Sequence, residues 1–400
     1  MSEWKKMKLG ELCDFINGGA WSDKEYVSEG IPVLKVTNCK NSGFSLSELS
    51  YLPYSLEQKY IQNKLQRYDV IIATVGSHPN LVNSSAGRSV IANSFVEGFY
   101  LNQNAVCIRT KDEDVLDQLF WGYYSKYYLF QHYIQMRGKG AANQMRIAIS
   151  AIKEYPMPLP SINVQRHIAS ILFRYDSLIE NYQKQIKLLE EAAQRLYKEW
   201  FVDLHFPGHE NTKIVDGVPE GWEKKAIGDI VVYYDKQRKP LSSMQRMNME
   251  KIYPYYGAAA LMDYVDNYLF DGIYLLLGED GTVITPDKFP VLQYVWGKFW
   301  VNNHAHVLRG KEGISTEFLY SMFKEMPIAD IVTGAAQPKI SQGRLSEKKI
   351  LMPSLKLIQK WSSIAKHFFD KLRVLSEQIR LLTEARDRLL PKLMSGEIDV

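Results

Sequence analysis

The sequence predicts an α+β protein with two globular regions of mixed α/β structure and two long helices. The first observation is a repeated segment of twelve residues. Residues 185–196 read QIKLLEEAAQRL and residues 378–389 read QIRLLTEARDRL, with eight identical positions. The second is an apolar series around each copy, with a mean spacing of 3.5 residues. The third is a fainter similarity between the regions that precede the two helices. The chain therefore reads as an internal repeat with pseudo-two-fold character: globule, helix, globule, helix.

Length and composition agree with this organisation. Four hundred residues suit two or three cores, and 46% hydrophobic and 24% charged residues are typical of globular proteins. Three distant cysteines exclude a disulfide framework and a thiolate zinc site. The sequence has no apolar signal core and no run of ~18 apolar residues, so we expect a cytoplasmic protein without a membrane span. The net charge of +4 does not by itself indicate nucleic-acid binding.

The first globule is predicted to cover residues 1–158 and the second residues 205–352. Apolar runs of strand length, closed by glycine or polar residues, predict strands at YDVIIATVG, AVCIRTK, GIYLLLGEDG and AHVLRGK. Aromatic and apolar spacing predicts helices over residues 117–137 and 316–329. The stretch 205–222 is rich in Gly, Pro and Asn, which indicates a loop between the two repeats.

The two helical regions are predicted at residues 159–204 and 353–400, each with ~35 helical residues, or ~50 Å. Ser161 and Ser354 can cap the helix starts, and Pro391 is expected to end or kink the second helix. Only Arg386 interrupts the apolar stripe. The stripes are predicted to pair with each other, although each helix could instead bind another protein. The predicted seam consists of Ile168, Leu172, Tyr175, Ile179, Ile186, Leu189, Leu196, Phe368, Leu372, Leu375, Ile379, Leu382 and Leu389.

No sequence motif for reaction chemistry is present. The chain lacks a GxxxxGK[ST] phosphate loop, a GxGxxG helix start, HExxH, GxSxG and Asn-Pro-Pro-Tyr. Pro286-Asp287 has no ExK triplet after it at a suitable distance, and His304 and His306 have no evident third metal ligand. We therefore predict no catalytic and no metal-binding residue. An enzyme whose site is assembled from scattered residues stays an alternative.

Loops in both globules combine glycine with residues that suit DNA. Arg and Lys match guanine O6 and N7, and Asn and Gln match adenine N6 and N7. Each loop alone could be an ordinary solvated turn, but their recurrence at matching places favours a binding function. The loops cover residues 76–89, 136–150, 235–243, 278–282 and 333–346.

The helical motifs carry a resemblance to a known family. LPSIN and RLYKEWFVD lie at the ends of the first helix, and PSLK and LTEARDRLLPKLMSGEI at those of the second. With GAAQPKIS at 334–341, which becomes GAANQMRIAIS in the first repeat, this pattern resembles the specificity subunit of type I restriction-modification systems. The resemblance implies two target-recognition domains, each reading one half of a split, asymmetric DNA target. It also implies that regions 159–204 and 353–400 form an antiparallel coiled coil as a spacer.

The resemblance further implies a non-catalytic subunit that binds double-stranded DNA and two modification subunits, which methylate adenine with S-adenosylmethionine. Restriction subunits would add ATP- and Mg-dependent translocation and cleavage. No cofactor is expected on this chain. A coiled-coil scaffold without sequence-specific DNA binding is the alternative. The exposed helix sides and an aromatic run are candidate docking surfaces for partners; the run is Trp121, Tyr123, Tyr124, Tyr127, Tyr128 and Phe130.

Twelve loop residues are the predicted DNA contacts, on the assumption that loops and a strand edge enter the major groove. In the first globule these are Ser77, His78, Asn80, Arg88, Lys139, Asn143 and Gln144. In the second they are Arg238, Lys239, Thr282, Gln337 and Lys339.

Overall fold

A computed structural model describes residues 4–40, 43–46, 49–77, 85–141, 144–311, 313–334, 336–398 and 400, without the side chains of Ala141 and Gln144. The chain forms two compact units. Unit 1 contains Met1–Asn181 and Ile379–Val400, and unit 2 contains Tyr182–Gln378. Each unit therefore combines one globule with a segment from both long helices.

The helices of the globules are short and the two repeat helices are long, as the sequence predicts. The helices are α1 (Leu9–Leu12), α2 (Gln118–Tyr124), α3 (Tyr128–Gln135), α4 (Ile149–Lys153), α5 (Ile162–Phe201), α6 (Ile227–Ile230), α7 (Ser243–Met247), α8 (Thr316–Lys324), α9 (Gln342–Glu347) and α10 (Leu355–Met394).

Two predicted helices differ in extent from the prediction. The helix predicted over 117–137 is divided into α2 and α3. Ser125 lies at the division, where its hydroxyl donates to the Gly122 carbonyl at 2.6 Å. The helix predicted over 316–329 ends at Lys324. Pro327 follows closely, and a proline disfavours helical geometry in the residue before it.

Unit 1 is built on an antiparallel four-stranded sheet in the order β2-β11-β7-β9. A second sheet has the order β10-β3-β6, and β1 pairs with β14. The strands are β1 (Lys5–Lys8), β2 (Cys13–Asn17), β3 (Ile31–Leu34), β4 (Cys39–Lys40), β5 (Gly43–Phe44), β6 (Ser50–Leu52), β7 (Val70–Ala73), β8 (Val75–Gly76), β9 (Ser89–Ile91), β10 (Tyr100–Leu101), β11 (Ala105–Thr110), β12 (Lys139–Ala141), β13 (Gln144–Arg146) and β14 (Pro156–Leu159).

Unit 2 repeats this plan. Its main sheet has the order β18-β25-β22-β23, the terminal strands β17 and β26 pair, and a further sheet has the order β20-β19-β24-β21. The strands are β15 (Ile214–Val215), β16 (Val218–Pro219), β17 (Glu223–Ala226), β18 (Val231–Tyr233), β19 (Tyr253–Tyr256), β20 (Leu261–Val265), β21 (Phe270–Asp271), β22 (Tyr274–Gly278), β23 (Leu292–Val295), β24 (Lys298–Val301), β25 (Ala305–Gly310) and β26 (Lys349–Met352). The predicted internal repeat is confirmed.

The core of each unit includes residues from both long helices. In unit 1, Leu172 of α5 and Leu393 of α10 belong to the same buried cluster as Trp121. In unit 2, Tyr197 of α5 packs edge-on against Trp361 of α10, with ring centroids 5.9 Å apart. In each unit, therefore, one end of α5 lies with the opposite end of α10, as an antiparallel pair requires.

The predicted seam faces inward. None of its thirteen residues is exposed; Ile168, Leu172, Ile179, Leu372 and Leu375 are buried, and the others are partly buried. Phe368 is less buried than its neighbour Phe369, which is 2% exposed. The stripe therefore moves by one residue there, because a straight α-helix drifts relative to a strict heptad.

The starts of the long helices are capped as predicted, but the end of the second is not where Pro391 suggests. Ser161 Oγ accepts from Val164 N at 3.5 Å, and Ser354 Oγ accepts from Leu357 N at 3.4 Å. Pro391 lies inside α10, which continues to Met394. A proline this close to a helix end removes only one backbone donor, so a final turn can follow.

The aromatic run proposed as a docking surface is mostly core. Of its six residues only Tyr128 is exposed, at 61%, whereas Trp121 and Phe130 are fully buried with ring centroids 5.1 Å apart. These rings cover one side of the main sheet in unit 1, where burial in a dry core stabilises them more than solvent exposure would. Within the described part of the chain, no helix combines the length and the apolarity that crossing a membrane demands.

Arg386, the one charged residue in the predicted stripe, is paired. Its guanidinium bonds to the carboxylate of Asp176 in α5, which also accepts from the Tyr123 hydroxyl at 2.9 Å. Burial alone would raise the pKa of the Asp176 carboxyl, but Lys126 and Arg386 outweigh it and hold that pKa below its ordinary value. The break in the stripe is therefore a largely buried ion pair between the two helices.

We expect Asp176→Leu and Arg386→Leu each to lower the free energy of unfolding by about 2–3 kcal/mol at pH 7, because each removes one partner of a largely buried ion pair. The double variant Asp176→Leu/Arg386→Leu should lose much less free energy of unfolding than the two single variants lose together. Since the pKa of Asp176 is lowered in the folded state, its contribution is complete above the ordinary carboxyl pKa and is lost as the pH falls through the folded value. Urea unfolding at pH 7 and pH 3 measures both effects, and additive single substitutions would contradict the pairing.

Candidate nucleic-acid interface

The described parts of the two loops predicted to bind DNA in the first globule lie side by side at Val75–Gly76 and Met145–Arg146. Strand β8 leaves the end of β7, and β13 pairs with it antiparallel, with Met145 opposite Gly76 and Arg146 opposite Val75. The amide of Ile147 donates to the carbonyl of Thr74 at 2.8 Å. Strand β12 adds to the outer side of β13. A three-stranded ribbon therefore joins two segments that are 70 residues apart in sequence.

This ribbon carries two exposed cations. Lys139 and Arg146 are directly opposite each other on β12 and β13, and both are exposed. Directly opposed residues of antiparallel strands point to the same side of the sheet. Arg137, just before the ribbon, lies over the Tyr133 ring at 3.5 Å from its centroid. The ribbon edge is thus a locally basic surface in a unit whose overall charge is nearly balanced.

The other predicted residues of the first globule have different surroundings. Ser77 lies half-buried in the bend after β8. Arg88 donates from Nη1 to the Cys39 carbonyl at 2.6 Å, and burial lowers the pKa of its guanidinium. This contact ties the stretch before β9 to β4. His78, Asn80 and Asn143 lie outside the described residues, and only the backbone of Gln144 is described, as the first residue of β13.

Unit 2 builds the same backbone frame at the corresponding place. The amide of Ile340 donates to the carbonyl of Glu279 at 2.9 Å, and the amide of Gly281 donates to the carbonyl of Pro338 at 3.0 Å. Lys339 forms β-bridges with Asp280 and with Thr333. The GEDGT turn and the loop 333–341 are therefore held together as their counterparts are in unit 1.

A tight turn in this loop requires glycine. Gly334 has φ +83°, and a Cβ added there would lie 2.3 Å from the carbonyl oxygen of Gln337. The turn places Gln337 and Lys339 at its exposed edge. The glycine in GAAQPKIS thus has a geometric reason at this position.

Matching hydrogen bonds align the two loops residue by residue. Ile147 bonds to Thr74 as Ile340 bonds to Glu279, which places Arg146 and Lys339 at equivalent positions. Their separation of 193 residues is the offset of the helical repeat. Arg146 was absent from the predicted contacts, although the offset from Lys339 could have identified it. The hairpin of the first globule is one residue longer, with Lys139 opposite Arg146 where Thr333 is opposite Lys339.

The remaining predicted residues of the second globule divide into exposed and internal groups. Lys239, Thr282, Gln337 and Lys339 are exposed, and Lys339 Nζ lies 3.8 Å from a Glu279 carboxylate oxygen. Arg238 is internal: Nη1 donates to Glu279 Oε2 and to the Ala305 carbonyl, both at 2.6 Å. Its side chain is only 12% exposed.

Asp235, Glu279 and His306 form a group with metal-ligand chemistry within the described residues. The Arg238 guanidinium already lies between the two carboxylates, at 2.6 Å from Glu279 and 3.6 Å from Asp235. His306 directs Nε2 to the Ile340 carbonyl at 2.9 Å. The positive charge that two carboxylates attract is thus supplied by the protein, and the group does not fit a metal ion. His304 precedes β25 and is exposed, so it does not share a strand face with His306.

The cysteines do not add a nucleophile. Burial raises the pKa of the Cys39 thiol to about 12 and raises those of Cys13 and Cys107 further. All three are free and buried. They therefore remain protonated at neutral pH, and a protonated thiol is a poor nucleophile.

Comparison with known proteins gives one family in both repeats. The model of the type I restriction modification DNA specificity domain matches residues 1–191 and again residues 219–384. The chain is 28% identical over 273 residues to the type I restriction enzyme MjaIX specificity subunit of Methanocaldococcus jannaschii, covering 63% of this chain and 62% of that protein. It is 32% identical over 143 residues to a putative type I restriction enzyme specificity subunit of Haemophilus influenzae, covering 36% of each. The chain thus spans less than two thirds of the length of either relative.

Other similarities extend over the whole chain. A putative MjaX specificity subunit of Methanocaldococcus jannaschii is 21% identical over 406 residues, covering 100% of this chain and 94% of that protein. The crystal structure of a type I restriction-modification S subunit from M. genitalium aligns with a TM-score of 0.53 and 21% identity, covering 98% of this chain and 96% of that one. This structural likeness shows a shared fold over nearly the full length.

Proposed function

This chain belongs to the family of the type I restriction-modification DNA specificity domain, and from that premise we propose that it reads the DNA target of such a complex. The observation that carries the proposal is the pair of equivalent exposed cations, Arg146 and Lys339, on equivalent backbone frames. A binding surface repeated at the same place in two domains is expected of a protein that reads two half-sites.

The exposed residues of the two frames are the proposed DNA contacts. Lys139, Arg146, Lys239 and Lys339 can bind phosphates or guanine edges, and Gln337 and Thr282 can bond to base edges. Ser77, half-buried in the bend after β8, is a further proposed contact of the first domain. Arg88 and Arg238 have internal partners, so we assign them to holding the loops rather than to the first contact with DNA.

We propose that the two half-sites differ in sequence. The first frame presents two cations across its hairpin, whereas the second presents Thr333 and Lys339 with Gln337. Different donors and acceptors at one position select different base edges. An asymmetric, bipartite target follows from two domains that share a backbone and differ in side chains.

The long helices are proposed to set the spacing between the half-sites. Each contains 40 residues, or ~60 Å at ~1.5 Å per residue. Half-sites one duplex turn apart are separated by ~34 Å. Helices of this length, paired as an antiparallel coil with seams buried in both units, would be stiff enough for a spacer.

Partner subunits are proposed to supply the chemistry. Two modification subunits would bring S-adenosylmethionine and methylate adenine, and restriction subunits would bring ATP- and Mg-dependent cleavage. In this proposal the chain itself takes no part in the reaction and contributes binding and orientation.

Methylation-aware sequencing tests the function directly. A host that carries this chain with its cognate modification subunit should show methylated adenines in one bipartite motif with a fixed spacer. A host with the modification subunit alone is the control and should lack that motif. Methylation without a motif, or a motif that does not depend on this chain, would instead support a scaffold without sequence-specific DNA binding.

Arg146→Gln and Lys339→Gln should each weaken binding to duplex DNA and reduce the salt slope of log K by about one, because each removes one cation near phosphate. Lys6→Gln and Lys224→Gln are matched controls: both are exposed lysines at equivalent positions of β1 and β17, away from the two frames. Fluorescence anisotropy between 50 and ~300 mM salt measures the slopes. Equal slopes for the test and control variants would remove these cations from the interface.

Inserting four residues in both long helices, after Asn181 and after Gln378, should lengthen each by ~6 Å. The preferred spacer should then grow by one or two base pairs at ~3.4 Å each. Four residues inserted after the exposed Asp216, in the linker, are the control and should leave the spacer unchanged. Methylation mapping reads the spacer in each case. An unchanged spacer in the helix variant would show that the helices do not set it.

A further inference from the structure

Four ionisable side chains form a buried cluster in unit 2. Asp235, Arg238, Glu279 and His306 have side-chain exposures between 1% and 16%. Burial of charge is costly unless each group is paired and hydrogen-bonded. In this cluster Arg238 donates to Glu279, and the His306 ring contacts Asp235.

The hydrogen bonds of His306 connect this cluster to a loop. Its Nδ1 lies 2.6 Å from Asp235 Oδ2, and its Nε2 lies 2.9 Å from the Ile340 carbonyl oxygen. A carbonyl oxygen only accepts, so Nε2 carries hydrogen. Asp235 also accepts from the Val307 amide at 2.8 Å and lies 3.6 Å from the Arg238 guanidinium. Both ring nitrogens therefore contact oxygen atoms, and the ring joins the Asp235 side chain to the main chain beside Lys339.

The cluster holds the segments that carry the proposed DNA contacts. Ile340, whose carbonyl accepts from His306, directly follows Lys339. Glu279 begins the turn that contains Thr282, and its main-chain oxygen accepts from the Ile340 amide. Arg238 precedes Lys239 and bonds to the Ala305 carbonyl. Three separate segments of the second reading surface are thus tied to one set of charges.

The fold itself does not require these charges. In unit 1, Val106 occupies the position of His306, since it pairs with β7 as His306 pairs with β22, and Thr74 occupies that of Glu279. The same sheet forms there with neither a histidine nor a carboxylate at these two places. At these two described positions unit 1 has no counterpart of the network, which points to a role specific to the second surface.

We propose that His306 is a positioning residue for sequence recognition by the second domain, acting through its Nε2 hydrogen bond to Ile340. The bond fixes the backbone beside Lys339 to strand β25, while the Ile340 amide bonds to Glu279 of the GEDGT turn, so that the exposed side chains meet the bases in one geometry. This inference rests on the proposed function. In this inference the cluster contributes to discrimination between sequences in one half-site and does not contribute to the general affinity for DNA.

Two substitutions separate positioning from general stability. The amide nitrogen of His306→Gln can take the place of Nε2 and keep the bond to Ile340. The amide nitrogen of His306→Asn can take the place of Nδ1 and keep the bond to Asp235, but it leaves the Ile340 carbonyl without its donor. Both variants lose the imidazole ring and keep one of its two hydrogen bonds, so they form a reciprocal pair: His306→Gln keeps the bond to Ile340 and His306→Asn keeps the bond to Asp235.

The full chain with its modification subunit is given a plasmid library with random inserts, and methylation is scored by sequencing. For His306→Asn we expect discrimination against single mismatches in the second half-site to fall about tenfold, since a buried acceptor loses its donor. Discrimination in the first half-site should not change and serves as the internal control. For His306→Gln the loss should stay below about threefold. Thermal unfolding of both variants is measured in parallel.

The outcomes separate the two ideas. If wild-type protein yields no motif, the proposed function fails. If wild-type protein reads both half-sites and His306→Asn reads the second as well as wild type does, only the positioning role fails. Equal losses of discrimination in both half-sites also overturn the positioning role. So do equal losses of discrimination in His306→Asn and His306→Gln that follow the drop in unfolding temperature.

Discussion

The burial of the apolar faces of two 40-residue helices is the constraint on which the rest of the structure depends. A helix with such a stripe is not stable alone in water and needs a partner surface. Here each unit uses a segment of α5 and a segment of α10 to complete its own core. In each unit, therefore, the globule and the helix segments form one hydrophobic core and do not fold as separate parts.

The repeat preserves backbone and varies side chains. The main sheets have the same strand order, and the loops at their ends use the same main-chain hydrogen bonds. Main-chain bonds do not depend on side-chain identity, so the frame can persist while the residues it displays diverge. Such a frame is well suited to recognition, because it keeps the position of a contact and changes its chemistry.

Several arginines illustrate how burial redirects a charged residue. Arg88, Arg238 and Arg386 all have internal partners. Arg88 bonds to a main-chain carbonyl, Arg238 bonds to a carboxylate and a main-chain carbonyl, and Arg386 bonds to a carboxylate. Arg386 keeps an interrupted seam closed, and Arg238 fills the place between two carboxylates that could otherwise attract a metal ion. A guanidinium can do this because its planar fork satisfies several acceptors at once.

Periodicity and repetition in the sequence determined the fold class, the long helices and their buried seam, because an apolar stripe with a 3.5-residue period is stable only against another apolar surface. The repeat offset of 193 residues also predicts that Arg146 and Lys339 occupy equivalent positions. Only the tertiary structure decided which of the loop residues are exposed, because exposure depends on partners distant in sequence. Arg238 and Lys239 are neighbours of similar charge, yet Glu279 and Ala305 hold the first inside while the second reaches solvent. Local sequence contains no information about those partners until the sheet brings residues 235, 279, 306 and 340 together.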